Sequence, residues 1–119
     1  MDLSLATGCL ALVLYGEAAT HEQKFAVGSV VLQSAGHVSK VCDEVYKPGR
    51  YEYISKLRNG DGRYPNQKEF LQNKLMALQI IRNFNQRKPY CYFHDDSIQN
   101  PWGFKVQEKI GNMYFYGCV

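Results

Sequence analysis

The chain of 119 residues is the size of one domain, and apolar residues make up 45% of it, enough for a buried core. Fourteen basic and eleven acidic residues leave a net charge of +3, which suits an anionic partner such as a bacterial cell wall. The lack of a Lys/Arg stripe disfavours nucleic acid, and no stretch reaches the roughly 18 apolar residues that would insert stably in a membrane.

The first segment, residues 3 to about 18, is apolar on nearly every side and is predicted to form a buried helix. Glu17 is its only charged residue. Counted in helical steps, Glu17 lies on the same face as Leu10, Val13 and Leu14. We therefore expect its carboxyl group at the rim of the core.

A second helix is predicted to begin after Thr20, because the Thr20 hydroxyl and the Gln23 side chain can form a capping box. Its valine-rich sequence would also suit a strand, but the cap and the length favour a helix that ends near Gly36. Residues 39 to 46 are predicted to form a short helix. Residues 50 to 66 are polar and rich in glycine, tyrosine and asparagine, so we expect a loop or a small flap there.

A third long helix is predicted after Asn66, which can form a second capping pair with Glu69. This helix should run to about residue 83. Lys88-Pro89, a little further along the chain, is a helix-breaking sequence. Apolar residues recur along one face of it as a stripe, namely Leu71, Leu75 and Leu78, widened by Phe70, Met76 and Ile80.

The C-terminal part of the chain is predicted to be extended. The segment YCYFHDD at residues 90–96 is aromatic, and the tail alternates on both sides of Gly111-Asn112, which is a hairpin pattern. The sequence therefore predicts an α+β, mainly α fold: a single domain over residues 1–119 with a small C-terminal β-hairpin.

The position of Glu17 suggests acid chemistry. A buried carboxylate without a partner is costly, so such a group either finds a partner or keeps its proton, and desolvation raises its pKa. A carboxyl group that is protonated near neutral pH can protonate a glycosidic oxygen as a general acid. We expect Gly16 to leave room for a ligand. The alternative is that Glu17 ends its helix and pairs with a lysine or arginine.

Five sequence blocks occur in series: LYGEA, AVGSVVLQ, VCDEVYKPGRYEY, YFHDDSIQNPWG and KIGNMYFY. Over about residues 9 to 117 they resemble the SleB-type cell wall hydrolase family, the spore-cortex lytic enzymes and related phage lysins. The resemblance implies a lysozyme-like catalytic domain that cleaves the MurNAc–GlcNAc β-1,4 bond of peptidoglycan glycan strands. It also implies that Glu17 is the catalytic glutamate.

The chain departs from the family pattern at three places. Gln33-Ser34 stands where the family has Asn-Arg, Tyr51-Glu52 stands where it has Phe-Ser, and Met113 replaces a histidine. These differences put substrate contacts and the details of turnover in question, while Glu17 and its neighbours are kept.

The resemblance further implies a lytic transglycosylase. Glu17 would donate a proton to the leaving oxygen and then take the proton of the MurNAc C6 hydroxyl, which closes on C1 to give a 1,6-anhydro end. One carboxylate suffices for this reaction. Two alternatives stay open: a hydrolytic lysozyme with a second carboxylate, for which Glu52 is the candidate, and a non-catalytic wall-binding or virion structural module.

Substrate contacts are expected from residues with aromatic faces and hydrogen-bonding groups. We predict Tyr51, Tyr53, His94, Tyr92, Trp102 and Tyr114 for this role, together with Glu52. The histidines lack the spacing of metal ligands, so no metal and no cofactor are expected. A Ser/His/Asp or Cys/His amidase is a further alternative, although no nucleophile motif is present.

Four cysteines, at positions 9, 42, 91 and 118, are widely and irregularly spaced. Asp2 stands where a signal peptide would carry positive charge, so we expect synthesis in a host cytoplasm without a signal peptide. In that compartment the thiols should be unpaired, while one or two disulfides are the alternative if the protein works outside the cytoplasm. The predicted protein is a monomeric phage lysin, free or virion-associated, that acts at the cell wall or in the periplasm.

Overall fold

The computed structural model describes residues 3–118 and confirms an α+β, mainly α architecture. Within that range lie five α-helices, two short 3-10 turns and one three-stranded sheet. The helices are α1 (Ser4–Glu17), α2 (His21–Ala35), α3 (Val41–Val45), α4 (Glu52–Arg58) and α5 (Gln67–Arg82). The strands are β1 (Tyr90–Asp95), β2 (Glu108–Ile110) and β3 (Met113–Gly117).

Helix α1 is the centre of the fold and contacts each of the other four helices. Its side chains Leu10, Ala11, Val13 and Leu14 are completely buried, which confirms the prediction of a helix that is covered on nearly every side. Although α1 is strongly apolar, none of the helices between residues 3 and 118 has the length and hydropathy of a membrane span.

Both predicted capping boxes are present. The Thr20 hydroxyl accepts a hydrogen bond from the Gln23 N–H at 3.1 Å, and the Gln23 side chain accepts one from the Thr20 N–H at 3.3 Å. Asn66 and Glu69 exchange the same two bonds at the start of α5. Gly36 ends α2 with a φ of 78°, a left-handed conformation that glycine adopts without strain.

Helix α5 has the predicted bounds, but the predicted stripe is buried only in part: Ile80 is in the core, and Phe70 and Met76 pack against it. Leu71 and Leu75, which belong to the predicted stripe, are 56% and 63% exposed. The buried residues are Asn73, Ala77, Ile80 and Ile81. The apolar residues of α5 cover so much of its circumference that periodicity alone does not select the face that packs against α1.

The prediction of a loop over residues 50–66 is wrong in part, because α4 occupies residues 52–58. This short segment is helical because its apolar side chains pack against the core: Tyr53 and Ile54 are buried, and Leu57 is partly buried. Packing against the rest of the fold therefore stabilises a helix that is too short to be stable alone.

The C-terminal hairpin is confirmed and is part of a larger sheet. Strands β2 and β3 are joined by a turn in which Gly111 has a φ of 60°. Strand β1 pairs antiparallel with the other edge of β3, so the strand order is β1-β3-β2. Asp95, at the end of β1, lies opposite Met113 at the start of β3.

The prediction of unpaired cysteines is wrong. Cys9 of α1 is bonded to Cys42 of α3, and Cys91 of β1 is bonded to Cys118 just after β3. The Cα–Cα distances of 5.4 Å and 4.9 Å lie in the range of disulfides. Cysteines that are far apart in the sequence pair because the fold brings α3 beside α1 and β1 beside β3.

Candidate active site

A cleft of about 440 Å³ opens beside the C-terminal end of α1. The loop before α4 and the first turn of α4 form one wall, and β1 with the loop after it forms the other. The residues that line it are Glu17, Gly49, Arg50, Tyr51, Glu52, Ser55, Phe93, His94, Asp95, Ser97, Ile98, Trp102 and Met113.

Glu17 is half-buried in this cleft and binds a backbone group. Its Oε1 accepts a hydrogen bond of 2.8 Å from the N–H of Tyr53, in the first turn of α4. The first N–H groups of a helix have no partner within the helix, so Glu17 supplies one. Among residues 3–118 no lysine or arginine forms an ion pair with Glu17. The alternative in which Glu17 ends its helix by pairing with a base therefore does not describe this site.

The pKa of Glu17 is raised above its ordinary value. Burial is the largest cause, since it disfavours the charged form, and the Tyr53 hydrogen bond opposes it in part. The negative charges of Glu52 and Asp95 raise the pKa of Glu17 further, and Lys56 lowers it. Glu17 therefore keeps its proton to a higher pH than an exposed glutamate does.

Gly16 makes room for a protein side chain, and it also lines a depression beside Glu17, so the prediction that it leaves room for a ligand stays a prediction. A Cβ atom on Gly16 would lie 1.9 Å from Cγ of Tyr53. The Tyr53 ring packs at this point, edge-on to Tyr15, and its hydroxyl donates to the carbonyl of Arg63 at 2.6 Å. Tyr53 is not part of the cleft lining, and its position does not support the predicted sugar contact.

Two further acids line the cleft with Glu17. The Glu52 side chain is 77% exposed and forms an ion pair of 3.2 Å with Lys56 on the next turn of α4. Asp95 accepts hydrogen bonds from the hydroxyl and the N–H of Ser97, and both bonds lower the pKa of Asp95. The sequence places both acids in polar segments, and the fold brings both to the catalytic candidate.

His94 lies in the cleft wall and is held on both ring nitrogens. Nδ1 donates to the carbonyl oxygen of Asp95 at 2.6 Å, and Nε2 is 2.6 Å from the hydroxyl of Tyr116. The imidazole stacks between Tyr114 and Tyr116, with ring centroids 5.2 Å and 5.4 Å away. These contacts fix the ring in one orientation.

Aromatic side chains continue from the cleft across one face of the sheet. Trp102 lines the cleft and is 39% exposed. Tyr92 lies 5.4 Å from Trp102 between ring centroids, and Phe104 stacks on Trp102 at 6.0 Å. Tyr92 and Tyr114 lie beside the cleft lining and not in it. Phe104 was not predicted, because nothing in its local sequence marks it as a neighbour of Trp102.

Tyr51 contributes to the wall of the cleft, but its hydroxyl is directed inward. It is 2% exposed, and the hydroxyl donates to Oε2 of Glu44 at 2.8 Å. Burial raises the pKa of Tyr51 strongly. The hydroxyl is thus used within the protein, which argues against the predicted role of Tyr51 as a polar sugar contact.

Glu44 is a buried acid that sequence reasoning missed. It accepts from Nε of Arg50 at 2.9 Å and pairs with Lys47 at 3.1 Å, in addition to Tyr51. Arg50 also donates to the Ser34 hydroxyl and to the carbonyl of Cys91, so it joins α2, α3 and β1. In the sequence Glu44 resembles any polar residue of a short helix, and its base partners at positions 47 and 50 are the only hint.

Both residues of the first departure from the resembled pattern, Gln33 and Ser34, have partners in this fold. Ser34 binds Arg50 at 3.1 Å, and Gln33 accepts from Arg87 at 2.9 Å. Met113, in place of the family's histidine, is buried and lines the cleft beside Glu17. The thioether adds an apolar surface where burial raises the pKa of Glu17.

A second depression of about 260 Å³ adjoins the cleft on the far side of Glu17. The two share Glu17, Asp95 and Met113, and the second is also lined by Gln23 and Asn112, with Gly16, Ala18 and Ala19. The two depressions therefore meet at Glu17, Asp95 and Met113, and we call them the two lobes of one groove.

No group of three or more His, Cys, Asp and Glu side chains in the described range is arranged to hold a metal ion.

Comparison of the chain with protein-family models, with curated proteins and with solved structures found no match. The functional assignment therefore rests on the sequence blocks and on the chemistry of the cleft.

Proposed function

We propose that this protein is a lysozyme-like muramidase that cleaves the MurNAc–GlcNAc β-1,4 bond of peptidoglycan, with Glu17 as the general acid. One observation carries the proposal: a half-buried carboxyl group with a raised pKa lies where the two lobes of the groove meet. Cleavage inside a glycan strand needs a proton donor with room for sugar residues on both sides of the bond.

Glu17 would act through its second carboxyl oxygen, because Oε1 is held by the Tyr53 N–H. With a sugar residue in each lobe, the glycosidic oxygen lies over this carboxyl group. The proton moves to O4 of the leaving GlcNAc as the bond from C1 of MurNAc to O4 breaks. The backbone bond fixes the orientation of the acid without supplying a counter-charge, and the raised pKa favours the protonated form that can donate.

The lytic transglycosylase remains the proposed form of the reaction. In it the C6 hydroxyl of MurNAc attacks C1 and leaves a 1,6-anhydro end. Because this hydroxyl belongs to the reacting sugar, the attack is intramolecular and has the high effective concentration that tethering gives.

Hydrolysis is the second candidate, and a specific observation favours it. Glu52 and Asp95 line the same cleft as Glu17, so a carboxylate is available to assist a water molecule. Water attack at C1 would leave a reducing MurNAc end.

The proposed site of action is the bacterial cell wall or periplasm, with the protein acting as a monomeric phage or virion-associated lysin. The two disulfides suit this assignment, because disulfides persist in oxidising compartments and are rare in a reducing cytosol. Synthesis in the host cytoplasm would then precede oxidation.

The test is digestion of purified sacculi, followed by mass spectrometry of the released muropeptides. We expect glycan fragments whose MurNAc ends are lighter by one water than the hydrated form, and no fragments from Glu17→Gln protein. Glu22→Gln, an exposed acid of α2, is the matched control and should behave as wild type. Absence of glycan fragments from the wild-type protein would contradict the muramidase proposal and favour a wall-binding or structural module.

A further inference from the structure

The two acids that accompany Glu17 differ in how their charges are balanced. Glu52 is neutralised by Lys56 and projects into solvent. Asp95 forms no ion pair with a lysine or arginine in residues 3–118. Asp95 is exposed as well, but its side chain lines the groove and has no lysine or arginine partner in the described part of the chain.

The position of Asp95 is also more central than that of Glu52. Asp95 lines both lobes of the groove, as Glu17 does, whereas Glu52 lines only one. It stands at the end of β1, where pairing with Met113 fixes its backbone. The Ser97 N–H at 2.9 Å and the Ser97 hydroxyl bind the same oxygen, Oδ1, and hold the carboxylate in one orientation.

We propose that Asp95 is the second carboxylate of the reaction, which accepts the proton of the hydroxyl group that attacks C1. The inference rests on the muramidase function proposed above. Glu17 gives its proton to O4, and the C1–O4 bond breaks. The attacking oxygen bonds to C1, and its proton moves to Asp95. Before that transfer, the negative charge of Asp95 stabilises the positive charge that develops at C1.

This assignment holds for either attacking group. With the C6 hydroxyl of MurNAc the product is the anhydro sugar, and with water it is the reducing sugar. In both cases one proton leaves Glu17 and one arrives at Asp95, and exchange with solvent restores the starting state. Glu17 then need not return as the base, and each carboxyl group has one task.

The electrostatics of the groove agree with this division. Hydrogen bonds from Ser97 lower the pKa of Asp95, while burial first, and then the charges of Glu52 and Asp95, raise the pKa of Glu17. Two carboxyl groups whose pKa values are moved in opposite directions are suited to act as base and acid. The other charged or titratable groups that face the pair are Lys56 from α4, Arg50 from the loop before it and His94 from β1.

The first test is the pH dependence of kcat for Asp95→Asn protein on purified sacculi. Asparagine keeps an oxygen that can accept from the Ser97 N–H, so the turn after β1 should be retained. We expect kcat to fall by about 10²-fold or more, and the low-pH limb of the profile to disappear. Asp96→Asn, the same substitution at an exposed neighbour outside the groove lining, is the control. Glu52→Gln should lower kcat less than Asp95→Asn does.

A second variant keeps the carboxylate and changes its pKa. Ser97→Ala removes one hydrogen bond to the charged form of Asp95, so the low-pH limb should move to higher pH. An NMR titration needs no turnover: in Asp95→Asn the pKa of Glu17 should fall, because a nearby negative charge has been removed. An unchanged Glu17 pKa would overturn the proposed coupling.

The outcomes separate this inference from the function on which it depends. If wild-type protein releases no glycan fragments, the muramidase proposal fails and this inference fails with it. If Glu17→Gln is inactive while Asp95→Asn has the kcat and the pH profile of wild type, only the role of Asp95 is overturned.

Discussion

Two acids, the buried Glu44 and the half-buried Glu17, bind neighbouring residues of the segment 50–53, and their surroundings differ. Glu44 of α3 has a full set of partners: Lys47 at 3.1 Å, Arg50 at 2.9 Å and the Tyr51 hydroxyl at 2.8 Å. Glu17 of α1 has one bond, from the Tyr53 N–H at 2.8 Å, and a cleft on its other side. The acid that we propose as the proton donor therefore differs from Glu44 mainly in its number of partners and in facing the cleft.

The surroundings of Glu44, which we call the Glu44 cluster, are linked to those of Glu17 through the segment 50–53. Arg50 and Tyr51 are held by Glu44, and two residues further along the chain the N–H of Tyr53 holds Glu17. A buried ion pair such as Glu44–Arg50 adds little net stability but fixes a geometry. We infer that the Glu44 cluster positions the start of α4 so that its free N–H meets the catalytic candidate.

The largest effect is expected at the reactive acid. Glu17→Gln keeps the shape of the side chain and its bond to Tyr53 but has no proton to donate. Lysis of sacculi, measured by turbidity, should slow by about 10²–10⁴-fold, the usual contribution of general acid–base catalysis. Far-UV circular dichroism should be unchanged. Lysis at the wild-type rate would show that Glu17 is not the acid.

The matching substitution at the structural acid should act on stability instead. Glu44→Gln leaves the partly exposed charges of Arg50 and Lys47 without their buried partner, and losing charge-assisted hydrogen bonds of this kind costs about 1.5–3 kcal/mol. Urea denaturation should report that loss in the free energy of unfolding. A loss below about 1 kcal/mol would mean that Glu44 does not anchor the segment, and the contrast between the two acids would be lost.

Glu17 could be singled out from the sequence because the residues that define its setting are close to it in the chain. The apolar face shared with Leu14 lies within one helix, and the capping box at Thr20 involves neighbours in the chain. The partner that orients Glu17 could not be predicted in this way, since Tyr53 is 36 positions away and contributes only its backbone N–H. That interaction exists because residues 52–58 form a helix where composition indicates a loop.

Other parts of the site depend on long-range packing. Asp95 reaches the cleft because β1 pairs with β3, and Glu44 is buried because α3 packs against α1 and α2. The same holds for the disulfides, whose partners are 33 and 27 positions apart. Helix α5 has apolar residues around most of its circumference. The sequence pattern therefore does not predict that Leu71 is exposed and Ile81 is buried.

The Cys9–Cys42 disulfide joins the helices that carry the two acids, and its removal should have an intermediate effect. Replacing both residues by alanine should lower the free energy of unfolding by about 2–4 kcal/mol, the usual contribution of a disulfide. The comparison is urea denaturation of the double variant and of oxidised wild type, because dithiothreitol would also reduce the Cys91–Cys118 disulfide. Equal stability of the double variant and the oxidised wild type would mean that this link does not hold α1 to α3.

The smallest effect is the pH dependence of stability that comes from Glu17 alone. Its pKa is raised in the folded state, so ionised Glu17 opposes folding at neutral pH. That cost decreases as pH falls through the folded pKa and is absent below the unfolded value. Glu17→Gln should therefore be more stable than wild type at pH 7, and the difference should shrink toward pH 4. A difference that is independent of pH would contradict the raised pKa.

The most direct test of the contrast between the two acids is the titration of Glu17 itself. Carbon-detected NMR of the glutamate carboxyl groups, with the Glu17 signal assigned by its absence in Glu17→Gln, gives the pKa in the folded protein. We predict a midpoint above the ordinary glutamate value of 4.5, as expected for a desolvated acid with one backbone partner and two acidic neighbours. A midpoint at or below 4.5 would mean that Glu17 is ionised and satisfied like any structural carboxylate, and the account of it as the proton donor would be wrong.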